Sequence, residues 1–482
     1  MKRIAKLLAL VCCLSLVLCA CNPSGAPEAN MEDDMSKEVT LKWYIMAQTP
    51  TGSDEVLAKV NEYLKEKINA KLDLVFIQPG DYKQKTQMIM AANEEYDLMW
   101  MATGYNYRDN AAKGAFFDLD ELLDKVPELK AFYPDSVWDA TRIGGKIYGV
   151  PDNQVLYSQD GLWFNKAMTE KYGMTETIEN AKSWDDVAKA YEAIKANETD
   201  VIPLRSGNPN IFDNRKTVEI EGYTLGDDGK FFNKMPQDMP NYKKMREFYQ
   251  KGYFPADVAT MTDETSLIKA QKIYSRYSRQ LPGVSGKFKI QNNYDVINIE
   301  TNEPLLNRGG IQSTLTCVSS TSKNPVRALK LVNLMNTDKY LFNLMAYGIE
   351  GKNYVKDPNN ENRIIREGEG ITPYYVAEYL IGNQFLAYIL PSYEDDVWEE
   401  TDRMNKEAAV DPNIGFDFDP VPVQSELSQI NAVKAEYDGV VTNGLEDPEV
   451  SIPAYMEKRK TAGEEKVIAE LQRQYDEWKK AQ

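Results

Sequence analysis

The chain has 482 residues, with 74 Asp and Glu against 56 Lys and Arg, a formal net charge of −18, and no histidine. The missing histidine excludes Ser-His-Asp and Cys-His catalysis and His-based zinc sites. The acidic balance argues against nucleic acid as a partner and against a polybasic membrane patch.

Met1–Lys6 carries cations and no acid, and Leu7–Ala20 is apolar or small throughout. A positive start before a short apolar core reads as a secretory leader, too short for a membrane span with these flanks. Leu18-Cys19-Ala20-Cys21 closes it and resembles the bacterial lipoprotein signal, which implies lipidation of Cys21 as first residue of the mature chain. Cys19 stands where that signal usually has Ala, Ser or Thr. Residues 21–38 are rich in Pro, Gly, Ala, Asn and acids and read as a flexible tether with an end-to-end distance of roughly 20–25 Å. Cys12, Cys13 and Cys19 leave with the leader. Cys21 and Cys317 remain, so no intramolecular disulfide is expected, and Cys317 reads as a small buried hydrophobe.

Val39–Gln48 reads as a buried strand. After the turn "TPTGSD", Ser53 or Asp54 can cap a helix with apolar Leu57, Val60, Leu64 and Ile68. Ala70–Gln78 is a second strand, Asp81 opens a helix to about Asn93, and Tyr96–Ala102 is a third strand. This alternation predicts a parallel sheet, with ligands beyond the carboxyl ends of its strands. The loops there are "AQTPTG" and "ATGYNYR". A Gly-rich turn, a Pro-Asp-Asn break and a strand over Val155–Asn165 look like a crossing between lobes. A second region runs to about Tyr294. Arg308–Tyr354 reads as strand, polar turn and helix, with Pro325 in the first helical turn and Ala328, Leu331, Val332 and Met335 as its apolar stripe. The remainder reads as mainly helical, and no internal repeat is present. Neither a Walker A sequence nor a Rossmann glycine fingerprint followed by a ribose acid occurs.

In this order, "YDLMW", "GKIYGVP", "GLWFNKAMTEKYG", "SWDDV", "SSTSKNP" with "RALKLVNLM", and "YGIEGKNY" resemble the extracellular solute-binding lipoproteins of bacterial ABC importers, carbohydrate type, family 1-like. The tail from "FDFDPVPVQSELSQINAVKAEY" to "VIAELQRQYDEWKK" resembles the uncharacterised C-terminal region DUF3502. The resemblance implies an α/β, two-lobe, type 2 periplasmic-binding-protein-like fold: parallel or mixed sheets flanked by helices, a ligand cleft between lobes, and a helical C-terminal region. The expected division is a leader over 1–20, a tether over 21–38, lobe 1 over 39–153 with 308–354, lobe 2 over 154–307, and a C-terminal region over 355–482 packing on lobe 2 and the hinge. A ligand touching both lobes stabilises the closed form, which a permease can then distinguish. ATPase and permease are separate chains in such systems, so a missing Walker sequence is expected. The implied partners are a small-molecule ligand, carbohydrate in type, and ABC permease subunits, with no cofactor and a monomeric state. The implied location is the outer face of the cytoplasmic membrane, anchored through Cys21.

Sugars need aromatic platforms and planar polar side chains. Candidates on these grounds are Tyr105 and Tyr107 after the third strand, Gln48 and Thr49 after the first, and Trp100 within the third strand. Asp152, Asn153 and Tyr157 at the crossing, Trp163 in "GLWFNK", Glu350 between glycines, and Trp398 complete the set. Arg308, before a double glycine, either pairs with an acid across the hinge or binds ligand. Core packing or helix capping is the alternative for the aromatic and polar candidates. The rival functions are a receptor for peptides or another small solute, a glycan-active enzyme with paired carboxylates, and an adhesion or sensor lipoprotein.

Overall fold

The computed structural model describes residues 31–213, 219–261 and 264–482; Cys21 and the leader lie outside them. The first lobe begins with β1 (Val39–Met46), α1 (Ser53–Ile68), β2 (Ala70–Ile77), α2 (Pro79–Ala91) and β3 (Leu98–Met101). β1 runs parallel to β2 from Val39↔Ala70 to Met46↔Ile77, and parallel to β3. Its inner residues Leu41, Trp43, Tyr44 and Ile45 are buried on both faces, as expected of a parallel strand covered by helices. α1 buries Val56, Val60, Leu64 and Ile68, while Leu57 is half-buried. Neither Ser53 nor Asp54 caps it. Gly52 holds the cap position at φ 80° and no side-chain bond closes the turn. Asp54 still favours the positive helix end from the first turn.

The chain then crosses through β4 (Val150–Pro151) and β5 (Tyr157–Ser158) into the second lobe. There β6 (Asp160–Asn165), α3 (Trp184–Asn197), β7 (Ile202–Leu204), α4 (Met239–Gln250), β8 (Ile273–Arg279), α5 (Val284–Asn292) and β9 (Val296–Glu300) form a separate sheet of order β9-β6-β8-β7 with its own core. The sheet is mixed: β8 is antiparallel to β6 and parallel to β7. β10 (Leu305–Leu306) leads back, and β11 (Leu315–Val318) completes a first-lobe sheet of order β2-β1-β3-β11-β4. β11 runs antiparallel to β3, so this sheet is mixed as well. α6 (Pro325–Thr337) starts at Pro325 and buries Ala328, Leu331, Val332 and Met335, the expected stripe. α7 (Lys339–Tyr347) follows. Cys317 is free and buried.

Helix is sparse between 355 and 396, where a short hairpin and an irregular strap stand in place of the expected helices. Val376, Leu380, Ile389 and Leu390 of this stretch lie in the first lobe's core. α8 (Val397–Glu407) and β12 (Ala409–Val410) close it; β12, β10 and β5 form a small sheet at the crossings. The later helices, α9 (Gln424–Thr442), α10 (Pro448–Thr461) and α11 (Glu464–Ala481), pack onto the second lobe, against Tyr223, Phe231 and Tyr242. The segment read as tether is also partly lobe: Met31 packs on the first core, and Asp33 pairs with the buried Arg327 at 2.7 Å. Among the described residues, no helix is long and apolar enough to cross a membrane.

Candidate functional site

The carboxyl ends of β1 and β3 open on two loops. Gln48 and Thr49 are exposed on the first. On the second, Tyr105 is half-buried, its ring edge-on to Trp100 at 5.2 Å and to Tyr82 at 5.5 Å. These three stand at the rim. Two neighbours do not. Trp100 is buried and its indole N–H donates to the Thr314 hydroxyl at 2.7 Å. Tyr107 opens a short helix and points inward, donating to the Thr141 carbonyl at 2.7 Å. Both are core, since strand and helix-start positions facing a packed layer lose their access to ligand.

Most candidates at the crossing are also structural. Asp152 is buried and accepts from the hydroxyls of Thr314 and Thr316; burial pushes its carboxyl up to about 7 against these bonds. Tyr157 is buried, with its hydroxyl on the sulfur of Met404 at 3.3 Å. Trp163 packs 5.0 Å from the Phe288 ring in second-lobe core. Asn153 donates to the Asn383 side-chain oxygen at 3.0 Å, and Trp398 donates to the Ala387 carbonyl at 2.9 Å. Asn153 and Trp398 share a separate cavity of about 640 Å³ with Phe132 and Phe385, built by the first lobe, α8 and the crossing strands. Arg308 takes the pairing role: it donates to Asp417 at 2.9 Å and to the Arg142 carbonyl. Arg108 also reaches Asp417, at 3.2 Å, and the Gly144 N–H donates to it at 3.0 Å. Asp417 thus ties the first lobe to the C-terminal region. Glu350 is exposed in a turn that bridges to Tyr354.

The strap over 374–393 supplies what the sequence reading missed. Tyr375 is 39% exposed. One neighbour, Tyr347, stacks with it at 6.3 Å and 14°, and the Arg366 guanidinium lies 4.9 Å from its ring centre. Its hydroxyl donates to the buried Glu378 at 2.7 Å, and Gln384 donates to the other oxygen of that carboxylate at 3.3 Å. Tyr379 and Tyr393 are half-buried, and burial raises both their hydroxyl pKa values. The Tyr379 carbonyl lies 3.0 Å from the Thr314 hydroxyl, within reach of the one proton that Asp152 also accepts, and links the strap to β11's lead-in. From the second lobe, Lys287 of α5 reaches over the Tyr379 ring at 5.5 Å. At the crossing, the guanidinium of Arg279 donates to the carbonyls of Tyr157 and Val155. A usable signal was present: "PYYVAEY" gathers three tyrosines within six residues.

An aromatic wall on one lobe, a lysine from the other and a buried acid, Glu378, that orients a tyrosine form the candidate surface. The family model described as bacterial extracellular solute-binding protein matches residues 49–342, and one for a domain of unknown function, DUF3502, matches 412–480. A carbohydrate ABC transporter substrate-binding protein of Streptococcus pneumoniae is 32% identical, covering 99% of both chains. The solved N-glycan transport solute-binding protein NgtS of the same species is 29% identical, covers 91% of this chain and 98% of its own, and superposes with a TM-score of 0.82. NgtS in complex with Man5GlcNAc superposes with a TM-score of 0.69, over 92% of this chain and 99% of its own. The chain therefore belongs to the bacterial extracellular solute-binding proteins, transport receptors that capture a solute without transforming it.

Proposed function

We propose that this receptor captures an oligosaccharide of the N-glycan type between its lobes, as a monomer, and delivers it to an ABC permease from the outer face of the cytoplasmic membrane, held there by lipid on Cys21. The observation that carries the ligand class is the tyrosine wall itself. Tyr379 offers ring surface at the interlobe seam, with the part-exposed rings of Tyr375 and Tyr105 on the same lobe, and pyranose C–H faces pack on such rings. Gln48, Thr49 and Lys287 offer exposed polar groups for the sugar hydroxyls. The likeness to NgtS, solved with Man1GlcNAc and with Man5GlcNAc, supports the same class. Delivery follows from differential affinity: a glycan held by both lobes favours the closed arrangement. The test is a thermal-shift and calorimetric screen with mannose-terminated N-glycan fragments, neutral oligosaccharides and peptides. A mannose-terminated fragment at 100 times its dissociation constant stabilises the protein by roughly 2.7 kcal/mol, and peptides give no shift. A shift with peptides alone would overturn the reading. Partitioning of the full chain into detergent, abolished by Cys21→Ala, tests the anchor.

A further inference from the structure

A tight hairpin turn of the second lobe carries an acid in a strained place. Ile220 and Tyr223 exchange both backbone hydrogen bonds, at 3.1 and 2.9 Å, and the two residues between them, Glu221 and Gly222, have φ 53° and 80°. This is a type I′ tip, which favours Asn before Gly. Six non-glycine residues have positive φ among those described, and four of them are Asn; the others are Glu221 and Gln271. Gln271 has a partner in the fold, since its side-chain oxygen accepts from Asn165 at 3.3 Å. Glu221 has none: no hydrogen bond or ion pair closes on its carboxylate among the described residues. The tip is nonetheless held firmly from below, by the buried Tyr223 with the Arg459 guanidinium 5.5 Å from its ring centre. A strained residue on a rigid support, with no partner of its own, points to a ligand.

Glu221 is exposed, yet the protein gathered around its carboxyl disfavours the charged form and raises its pKa, as in a cleft rather than on an open face. The two cations that oppose this shift are Lys434 of α9 and Arg108 of the first lobe. Lys434 stands on the hairpin's own side, its ammonium 3.7 Å from the place of a Cβ on Gly222. Arg108 belongs to the cleft rim, three residues after Tyr105. Its Nε donates to Asp417 at 3.2 Å and its Nη2 to Asp419 at 3.4 Å, which fixes the guanidinium and leaves Nη1 without a protein partner among the described residues. We propose that Glu221 and Arg108 are the two jaws of a subsite that recognises a vicinal diol on one sugar residue of the glycan. The proposal rests on the oligosaccharide reading and adds to the tyrosine wall a charged group from each lobe. A hydroxyl both donates and accepts, so each hydroxyl of a diol can donate to the carboxylate and accept from the guanidinium. Charge-assisted bonds of this kind are the strong ones. An acid alone would suit an amino group; the cation opposite disfavours one. Because the jaws belong to different lobes, a diol between them favours the closed arrangement.

The test is calorimetry on the full chain with a mannose-terminated N-glycan fragment and its mono-deoxy analogues. Glu221→Asn puts the favoured residue at the tip and withdraws the acid. The expected result is a dissociation constant about 10- to 100-fold higher, with a ligand-free melting temperature equal to or above that of wild type. Two analogues deoxygenated at adjacent carbons are expected to bind wild type at least about tenfold more weakly than the parent, and to bind Glu221→Asn within about threefold of it. Glu219→Gln removes an acid from the same hairpin and leaves affinity unchanged. Equal affinity of Glu221→Asn and wild type, an equal loss in Glu219→Gln, or the same deoxy profile in both proteins overturns the subsite and leaves the oligosaccharide reading standing. A melting temperature of Glu221→Asn well below wild type would show that Glu221 serves the fold, and would overturn it too. A wild-type chain that binds no such fragment overturns the oligosaccharide reading, and the subsite with it.

Discussion

Lys287 of the second lobe lies 5.5 Å from the ring centre of Tyr379 of the first. Beside it, the buried Gly286 of α5 lies so close to the strap that an added Cβ would stand 2.0 Å from the Ser392 carbonyl oxygen. The lobes therefore meet at a seam made of one helix face and a tyrosine-rich strap. An exposed cation–ring contact contributes only about 0.5–1 kcal/mol. Such a seam holds an arrangement weakly, and a ligand that adds contacts to both sides can reset it.

Removing ring surface should weaken glycan binding without unfolding the lobe. Tyr375→Ala and Tyr379→Ala are expected to raise the dissociation constant of a mannose-terminated fragment about 10- to 100-fold, a loss of roughly 1.4–2.8 kcal/mol. Tyr375→Ala also lowers the ligand-free melting temperature modestly, because the buried Glu378 carboxylate loses the Tyr375 hydroxyl. Tyr340, 56% exposed and packed instead on Tyr63, serves as control, and its replacement leaves affinity unchanged. Calorimetry decides; affinities equal to wild type would remove the strap from the site.

A methyl group at the seam should hold the lobes apart. Gly286→Ala puts its Cβ against the Ser392 carbonyl, an overlap that costs about 1–3 kcal/mol if the backbone stays. Separation relieves it, so the radius of gyration from solution scattering rises and glycan affinity falls. A scattering curve and affinity identical to wild type would mean that the seam is not where the lobes register.

Much of the architecture was legible from pattern alone. The β1–α1–β2–α2–β3 alternation, the Pro325 helix start and the stripe from Ala328 to Met335 follow from local periodicity, which a parallel α/β layer obeys. The binding wall was less legible because exposure is set by distant chain. Tyr105 and Tyr107 are two residues apart in one loop, yet one reaches the rim and the other reaches the Thr141 carbonyl. Trp163 and Trp100 look equally available in sequence, and both are consumed by neighbouring layers. The strap's tyrosines lie some 270 residues after Tyr105, and only the fold of residues 355–396 onto the first lobe brings them to the seam. That docking has no short-range signature. Docking of Asp33 likewise depends on Arg327, nearly 300 residues away.

The C-terminal helices carry their own buried pair. Arg459 and Glu464 are almost fully enclosed and joined at 2.7 Å, and Glu464 also accepts from Asn233 of the second lobe at 3.0 Å. Glu464→Gln keeps the shape and removes the charge, leaving Arg459 without its carboxylate. The expected loss is about 3–5 kcal/mol, typical of breaking one side of a buried pair. It should appear as earlier proteolysis of residues 420–482 during heating. Unaltered melting and proteolysis would show that solvent reaches this pair.

Asp152 should make stability depend on pH in a way one substitution can isolate. Its folded carboxyl titrates at about 7, raised by burial, whereas an unfolded aspartate titrates near 3.9. Folding therefore takes up a proton between these values. The stability contributed by the neutral form is complete below about pH 4 and is lost as pH rises through 7, with a ceiling of roughly 4 kcal/mol. The strap is linked to this titration through one hydroxyl. Thr314 has a single proton, and the Asp152 carboxylate and the Tyr379 carbonyl are both within reach of it. A charged Asp152 claims that proton; a neutral one can donate to Thr314 and release it to the strap. Asp152→Asn mimics the neutral state at every pH. The melting temperature of the variant minus that of wild type is thus expected to climb between pH 4 and 7 and then level off, other groups cancelling in the difference. Glycan affinity of wild type should fall over the same interval, because the strap loses its bond to Thr314, while that of Asp152→Asn stays flat. Parallel melting profiles for the two proteins would show that Asp152 is already ionised in the fold, and the proton-sharing account of the strap would fail.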